Sequence, residues 1–297
     1  MSTARLGRYA VTEEEPTPRL AVLGAGVMGV SITTLALGRG VPVVLVETDP
    51  VRRADAPARI ERELRTAQLM GVRSDRPRAE LVTGTSVADC ADADVVIEAV
   101  TEDAGLKAAA LTEVSGIVRP DTALVTNTSS IPVDELAAKL PRPESLLGVH
   151  FMNPTYLIGT VEVVRGARTA QHAVDSVGRL LAALDRRGVF VGDGPGFVTS
   201  RVLHRMINDA ARVVEEGRAS AEDVDLLMQE CLGHRTGPLR TADLIGIDNL
   251  VDSLWVLHQR TGDEGCRPCD LLLRKVRDGE HGRKSGQGFY PYPGLVP

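Results

Sequence analysis

His150 and Glu162 are the first residues of this sequence whose types and spacing suggest acid–base chemistry. His150 lies in an apolar run at residues 146–151, and Glu162 lies twelve residues later in the strand-like run TVEVV. Imidazole has an ordinary pKa of about 6.5, so it can accept a proton at neutral pH, and a neighbouring carboxylate can orient its ring. The two residues are a candidate catalytic pair. The alternatives are a histidine packed in the core and a glutamate that faces solvent from a strand.

The other five histidines are weaker candidates for a base. Four lie in predicted helices or in a charged turn, where a surface position explains them: His172, His204, His258 and His281. His234 lies in a predicted loop. His150 alone ends a predicted buried strand of a parallel sheet, which is where open α/β folds bind ligands.

Apolar runs alternate with helical segments over the first two thirds of the chain. The runs predict strands at residues 19–23, 41–47, 79–83, 95–100, 123–127, 146–151, 161–164 and 189–191. Helices are predicted at residues 31–39, 51–70, 106–118 and 172–184. This alternation is typical of an α/β fold with a doubly wound, mostly parallel sheet.

The pattern changes at the glycine-rich segment GDGPG, residues 192–196. Helical segments follow at residues 197–217, 221–232 and 239–259. We therefore predict an α/β domain over residues 19–195 and an all-helical C-terminal domain over residues 196–297. Residues 1–18 lack the apolar core of a secretion signal, and we expect them to form a flexible tail.

The sequence GAGVMG at residues 24–29 follows the first predicted strand and opens a helix. With an acidic residue at the end of the next strand, this is the dinucleotide fingerprint of a Rossmann-like domain. Candidate contacts to a nicotinamide or flavin dinucleotide are Gly24, Gly26, Val27, Met28, Gly29 and Glu47. A carboxylate at Glu47 accepts ribose hydroxyls and repels a 2′-phosphate, which favours NAD over NADP. The alternative is a glycine turn without a ligand.

The composition excludes several classes of protein. Hydrophobic residues make up 43% of the chain and charged residues 25%, as in ordinary globular proteins. A net charge of −6 offers no general attraction to nucleic acid or to anionic membranes, and no apolar run reaches the ~20 residues of a membrane helix. Four cysteines are too few for a disulfide framework, so we expect a cytoplasmic protein without a metal site. Cys266 and Cys269 are expected to be free thiols in a loop.

Five further motifs occur in an order and at spacings that resemble the L-3-hydroxyacyl-CoA dehydrogenase family. They are VIEAVTED at residues 96–103, NTSSIPVDELA at 127–137, HFMNP at 150–154, PGFVTSR at 195–201 and GRKSGQGFY at 282–290. The resemblance extends from about residue 19 to residue 292. It implies NAD-dependent oxidation of the 3-hydroxyl of an acyl thioester, and a homodimer formed through the helical domain.

The resemblance also implies roles for individual residues. His150 matches the catalytic base and Glu162 its partner. Ser129 matches a contact to the substrate oxygen, and Asn153 a contact to substrate and nicotinamide. Three residues match positions near the cofactor: Glu102, Lys107 and Lys284. Judged on its own, Ser129 could instead cap a predicted helix at residues 134–140.

Departures from the family pattern concern the substrate. Ser200 stands where the family has asparagine, and Gly159 where it has lysine. Ser200 can still form a hydrogen bond, so it remains a predicted substrate contact. Arginines represent the lysine-rich helix that meets the CoA phosphates: Arg59, Arg62 and Arg65. An acyl carrier protein is therefore an alternative carrier to CoA, for example with a glyceryl thioester in polyketide extender-unit synthesis.

Two other functions are compatible with the sequence. A gulonate-type dehydrogenase would oxidise a free hydroxy acid without any carrier. A crystallin-like protein would bind NAD without turnover. The joint presence of His150, Glu162, Ser129 and Asn153 favours an active dehydrogenase.

Overall fold

The computed structural model describes residues 16–293, so the tail expected at residues 1–18 lies almost entirely outside the described part. The chain divides between Gly194 and Pro195 into two compact units. Among the described residues, no helix combines the length and the apolar character that a bilayer crossing requires.

The N-terminal unit is built on one sheet, which has eight strands within residues 16–293. In chain order these are β1 Leu20–Leu23, β2 Val43–Val46, β3 Leu81–Gly84, β4 Val95–Glu98, β5 Ala123–Thr126, β6 Leu146–His150, β7 Thr160–Arg165 and β8 Arg187–Gly192. Their spatial order is β3-β2-β1-β4-β5-β6-β7-β8. Neighbouring strands are parallel except β6 and β7, which are antiparallel. The predicted mostly parallel, doubly wound sheet is confirmed.

The helices of this unit connect the strands. They are α1 Val27–Gly38, α2 Pro50–Leu69, α3 Ala104–Ser115, α4 Val133–Ala137 and α5 Gln171–Ala183. Asp49 and Asp103 fix the starts of α2 and α3, because each carboxylate accepts hydrogen bonds from two backbone N–H groups of the first turn.

The core of the unit joins the strands to α1 and α5. Every residue of α1 from Gly29 to Leu37 is buried. Full burial of an aliphatic side chain contributes about 1.5–3 kcal/mol, so α1 is held in place by its surroundings on most sides. The first turn of this helix therefore has a fixed position at the ends of the strands.

The C-terminal unit is helical, with α6 Thr199–Glu215, α7 Ala221–Leu232, α8 Pro238–Ile245, α9 Ile247–Thr261 and α10 Asp270–Arg277. The single helix predicted at residues 239–259 is wrong. Gly246, with a φ of 96°, separates α8 from α9, and this backbone conformation favours glycine. Helix α10 was not predicted from the sequence. Cys269 directly precedes α10 but makes no side-chain capping hydrogen bond, and Cys266 and Cys269 are both buried rather than on an open loop.

Candidate active site

His150 and Glu162 are directly opposite each other in the antiparallel pair β6–β7. Opposite residues of such a pair point to the same face with Cβ atoms about 5 Å apart, which explains how a separation of twelve residues gives direct contact. His150 Nδ1 lies 2.8 Å from Glu162 Oε2, and the two side chains are 7% and 8% exposed. A carboxylate that accepts the Nδ1 proton leaves the lone pair on Nε2, so the geometry suits a base.

Ser129 follows the carboxyl end of β5, beside the strand that carries His150. Asn127 Oδ1 accepts a hydrogen bond of 3.0 Å from the N–H of Phe151, which ties the two strand ends together. Ser129 is half-buried, and its hydroxyl makes no hydrogen bond within residues 16–293. The hydroxyl is therefore available to a ligand.

Helix capping does not explain Ser129. The N–H groups of Val133 and Asp134 donate to the carboxylate of Asp193 at 2.9 and 2.8 Å, so Asp193 caps α4. The helix predicted at residues 134–140 is also shorter than expected, because it ends at Ala137. Asp193 lies far along the chain, and no local pattern pointed to it.

Glu102 holds the segment that carries Ser129. Its Oε1 accepts hydrogen bonds from the Thr128 hydroxyl at 2.5 Å, the Ser129 N–H at 3.1 Å and the Ser130 hydroxyl at 2.9 Å. Burial opposes its ionisation, but the charge of Lys107 and these hydroxyl donors outweigh burial and hold the pKa of Glu102 below its ordinary value. Glu102 is therefore a charged brace at physiological pH.

Lys107 is enclosed by acceptors of its own unit. Its side chain is 2% exposed, and Nζ lies 2.8 Å from Glu98 Oε1, 3.1 Å from Glu102 Oε2 and 3.3 Å from the carbonyl oxygen of Val100. Glu98 is fully buried and also accepts a 2.7 Å hydrogen bond from the Thr126 hydroxyl. Sequence reasoning missed Glu98, although an acid within the apolar run VVIEAV was the available signal.

Asn153 is an exposed residue of the segment that follows β6. Its Oδ1 is 3.2 Å from the hydroxyl oxygen of Ser31, a buried residue of α1. Sequence reasoning did not single out Ser31, because a serine inside a helix carries no motif. The structure thus connects the helix that follows the glycine turn with a predicted substrate contact.

The glycine turn has the shape that the fingerprint requires. Gly24 has a φ of 98°, and a Cβ there would lie 2.8 Å from the carbonyl oxygen of Ala99. A Cβ on Gly29 would collide with the Gly24 carbonyl, so glycine permits the close packing of α1. At Gly26 an added Cβ would meet no atom of the described residues within 4 Å. The turn therefore has open space at the position where a pyrophosphate would approach.

The first turn of α1 suits an anionic group. Gly26 provides no side-chain cap, and the first turn contains no acidic residue, so free N–H groups and the positive end of the helix dipole remain. Glu47 at the end of β2 lies beside this turn: its Oε2 accepts the Ala25 N–H at 2.8 Å and its Oε1 accepts the Asp49 N–H at 2.9 Å. A carboxylate has about four acceptor sites, so Glu47 can still receive a ribose hydroxyl.

The two remaining residues of the motif differ in exposure. Val27 is 59% exposed and can contact a ligand, whereas Met28 is partly buried and packs against the core.

The remaining predicted site residues, Ser200 and Lys284, belong to the helical unit. Ser200 is buried in α6. Lys284 Nζ forms a 2.6 Å ion pair with Asp248 Oδ2, and the lysine side chain is about half exposed.

His204, Cys266 and Cys269 are all buried in the helical unit. His204 is buried in α6, so the expected surface position is wrong; the apolar face of this amphipathic helix extended further than the sequence suggested. Cys266 and Cys269 are free thiols as expected, and burial raises the pKa of both. Among residues 16–293, no group of histidine, cysteine and acidic side chains could hold a metal ion.

Family models match nearly the whole chain in two consecutive parts. The model described as the NAD binding domain of 3-hydroxyacyl-CoA dehydrogenase matches residues 19–194. The model described as the C-terminal domain of 3-hydroxyacyl-CoA dehydrogenase matches residues 196–292.

Individual relatives agree with the family models over the full length. A probable 3-hydroxybutyryl-CoA dehydrogenase of Bacillus subtilis is 37% identical over 278 residues, which is 92% of this chain and 97% of that protein. FadB2 of Mycobacterium tuberculosis has a similar structure, with a TM-score of 0.88, 35% identity and coverage of 94% and 100% of the two chains. The (S)-3-hydroxybutyryl-CoA dehydrogenase PaaH1 of Ralstonia eutropha gives a TM-score of 0.83 at 33% identity, with coverage of 93% and 99%.

Proposed function

Since this chain belongs to the 3-hydroxyacyl-CoA dehydrogenase family and is an NAD-dependent oxidoreductase acting on CH–OH groups, we propose that it oxidises the 3-hydroxyl of a hydroxyacyl thioester, with His150 as the base. The observation that carries the proposal is the buried 2.8 Å contact between His150 Nδ1 and Glu162 Oε2. It supplies an oriented imidazole beside the strand ends where open α/β sheets bind ligands.

His150 Nε2 takes the proton of the substrate hydroxyl during oxidation. Glu162 holds the imidazole in the tautomer that leaves Nε2 unprotonated, and it stabilises the imidazolium that results. Bound NAD supplies the hydride acceptor. The free hydroxyl of Ser129 donates to the substrate oxygen, Asn153 contacts the acyl group and the nicotinamide, and Ser200 of the helical unit is a further substrate contact.

NAD binding is assigned to the glycine turn and its surroundings. The open space at Gly26 and the uncapped first turn of α1 fit a pyrophosphate, and Glu47 fits a ribose. We propose Glu102 as a contact near the nicotinamide end and Lys284 as a further cofactor contact. Lys107 acts through Glu102 rather than by touching the cofactor, because its Nζ is already surrounded by three acceptors.

CoA is the first carrier we propose for the acyl group, and an acyl carrier protein is the second. One observation favours the acyl carrier protein. Arg59 Nη1 donates to the carbonyl oxygen of Ala25 at 2.8 Å, so this arginine supports the glycine turn and its Nη1 donor is not available to a CoA phosphate. Arg62 and Arg65 remain exposed on α2, and an acidic carrier surface could meet them. Gly159 is exposed with open space around it, so it provides no charge at its position.

The test is a side-by-side assay of NADH formation with 3-hydroxybutyryl-CoA, a glyceryl thioester on acyl carrier protein, and free hydroxy acids including gulonate. The proposal predicts turnover with a thioester. Turnover with free acids alone would assign the gulonate-type activity instead. NAD binding without turnover of any of these compounds would favour the crystallin-like alternative.

We further propose a cytoplasmic homodimer. The four cysteines are free, as in proteins of reducing compartments. In the helical unit, α6 and α7 line an apolar groove of about 650 Å³ that includes Val202, Met206 and Met228. Arg205 and Asp209 at its border are already paired within the unit, with Asp263 and Arg212. We therefore propose that a second copy, related by a two-fold axis, covers the apolar side chains of the groove.

A further inference from the structure

The segment after β6, residues 153–156, is held by a buried hydroxyl of α1. Ser31 is fully buried, and its hydroxyl oxygen accepts the N–H of Thr155 at 3.2 Å. It also lies 3.1 Å from the Thr155 hydroxyl and 3.2 Å from Asn153 Oδ1. One buried side chain of α1 therefore contacts both residues that flank Pro154.

The number of hydroxyl protons determines which groups donate and which accept in these hydrogen bonds. The Thr155 hydroxyl donates to the carbonyl oxygen of Ser31 at 2.7 Å, so its only proton is used. Ser31 already accepts from the Thr155 N–H, and its hydroxyl donates to Asn153 Oδ1 at 3.2 Å. With Oδ1 held in this way, the Asn153 Nδ2 group makes no hydrogen bond within residues 16–293. It remains a free donor.

Arg186 holds the same segment from its carbonyl side. This arginine is 8% exposed, and its Nη2 donates to the carbonyl oxygens of Thr155 at 3.1 Å and Tyr156 at 3.2 Å. Burial, with a smaller effect of Arg39, lowers the pKa of Arg186 to about 10, so it stays charged at neutral pH. Thr155 is thus fixed through its N–H, its hydroxyl and its carbonyl group.

We propose that Ser31 is a positioning residue that orients the Asn153 amide, so that Nδ2 donates to an acceptor oxygen of the acyl substrate. The inference deepens the proposed function and rests on it, because it takes Asn153 as a substrate contact. Ser31 also makes the arrangement depend on α1, the helix whose first turn is assigned to NAD. Removing the Ser31 hydroxyl leaves the Asn153 amide free to rotate and the Thr155 N–H without its acceptor.

The test compares Ser31→Ala with Thr34→Val. Thr34 is a matched control, since it is buried in the same helix and its hydroxyl donates to the Val30 carbonyl oxygen, within that helix. We expect Ser31→Ala to lower kcat/KM about tenfold, the usual effect of losing one positioned hydrogen bond, while NAD affinity stays near that of the wild type. Thr34→Val should keep wild-type kinetics. Hydrogen exchange of the unliganded protein should become faster at the Thr155 amide in Ser31→Ala alone.

Two Asn153 variants make the inference independent of how well Ser31→Ala folds, because Asn153 is exposed. Asn153→Asp keeps an acceptor for the Ser31 hydroxyl but has no N–H, so it should lose as much activity as Asn153→Ala. In the Asn153→Ala background, Ser31→Ala should change kcat/KM by less than about twofold. Additive losses, or a fully active Asn153→Asp, would overturn the inference.

The outcomes also separate the inference from the proposed function. If the wild type forms no NADH with any thioester, the proposed function fails before a variant is compared. If the wild type is active and Ser31→Ala matches it in both kcat/KM and exchange at Thr155, the inference alone fails. A loss of thermal stability in Ser31→Ala with unchanged kcat/KM assigns Ser31 a structural role and equally overturns the inference.

Discussion

At the scale of single residues, Lys107 forms ion pairs with two carboxylates. Lys107 lies within 2.8 Å of Glu98 Oε1 and 3.1 Å of Glu102 Oε2, and Glu102 in turn fixes the backbone of Ser129. The lowered pKa of Glu102 means that its stabilising charge is present above its unfolded-state pKa and is lost as the pH falls through the lower folded-state value. Acid therefore weakens the brace under Ser129.

Replacing Lys107 by Met should strongly destabilise the protein. Glu98 would be left fully buried without its cation, and breaking a buried pair in this way costs about 3–5 kcal/mol. Thermal unfolding at pH 7 measures the loss, with exposed Lys139→Met as the control.

A double variant shows that the charge is responsible. Adding Glu98→Gln to Lys107→Met removes the uncompensated carboxylate, so most of the lost stability should return. An equally low melting temperature in the double variant would contradict the assignment and point to lost packing of the lysine side chain instead.

At the scale of helices and strands, the way that two elements pack decides which contacts of the candidate site could be predicted from the sequence. His150 and Glu162 were predictable because each lies in an apolar run that forms a strand, and the register of β6 and β7 then places them opposite each other. The contacts of Ser31 and Asp193 were not predictable. They join residues far apart in sequence through the packing of α1 and α4, and neither residue belongs to a motif.

Helix α2 packs on α1 and carries a partly buried carboxyl group, Glu63, whose burial opposes its ionisation. Glu63 Oε2 is buried and has no hydrogen-bond partner within residues 16–293. Burial raises the pKa of Glu63, and the nearby Ser31 and Thr34 hydroxyls and the charge of Arg59 offset this only in part. A raised carboxyl pKa destabilises the folded state at a pH above the ordinary glutamate pKa of about 4.5. Glu63→Gln should therefore raise Tm at pH 7 by about 2 °C and give no gain below pH 4.5.

Thermal scans of Glu63→Gln across this pH range test the prediction. Glu113→Gln on α3 is the control, because Glu113 is exposed. A lower Tm for Glu63→Gln at pH 7 would show that the carboxylate has a stabilising partner and would contradict the interpretation.

Over the whole chain, the pattern of apolar runs and glycines predicts the fold class but not every helix boundary or buried residue. The α/β fold and the resemblance to the dehydrogenase family are confirmed, because strand and helix periodicities and the spacing of motifs are local properties. The break at Gly246 was missed, because the apolar periodicity continues across it into α9. The burial of His204 was also missed, since it depends on which helices pack around α6.

Association of two copies is predicted at the level of the whole molecule. Val202 is 62% exposed and lines the groove of α6 and α7, and Val202→Arg would place a charge in the apolar surface that we propose a second copy covers. Light scattering after size exclusion should give twice the chain mass of 31.7 kDa for the wild type and for Leu69→Arg, a control on α2. Val202→Arg should shift the mass toward one chain. A single-chain mass for the wild type would contradict the dimer.

The most direct test of the account is the turnover of Glu162→Gln. With 3-hydroxybutyryl-CoA and NAD as substrates, initial rates of NADH formation should fall by about a hundredfold to ten-thousandfold. NAD affinity should stay near that of the wild type, and Glu144→Gln at an exposed position should be fully active. His150→Ala should show a loss at least as large. Turnover near that of the wild type in both Glu162→Gln and His150→Ala would contradict the acid–base assignment.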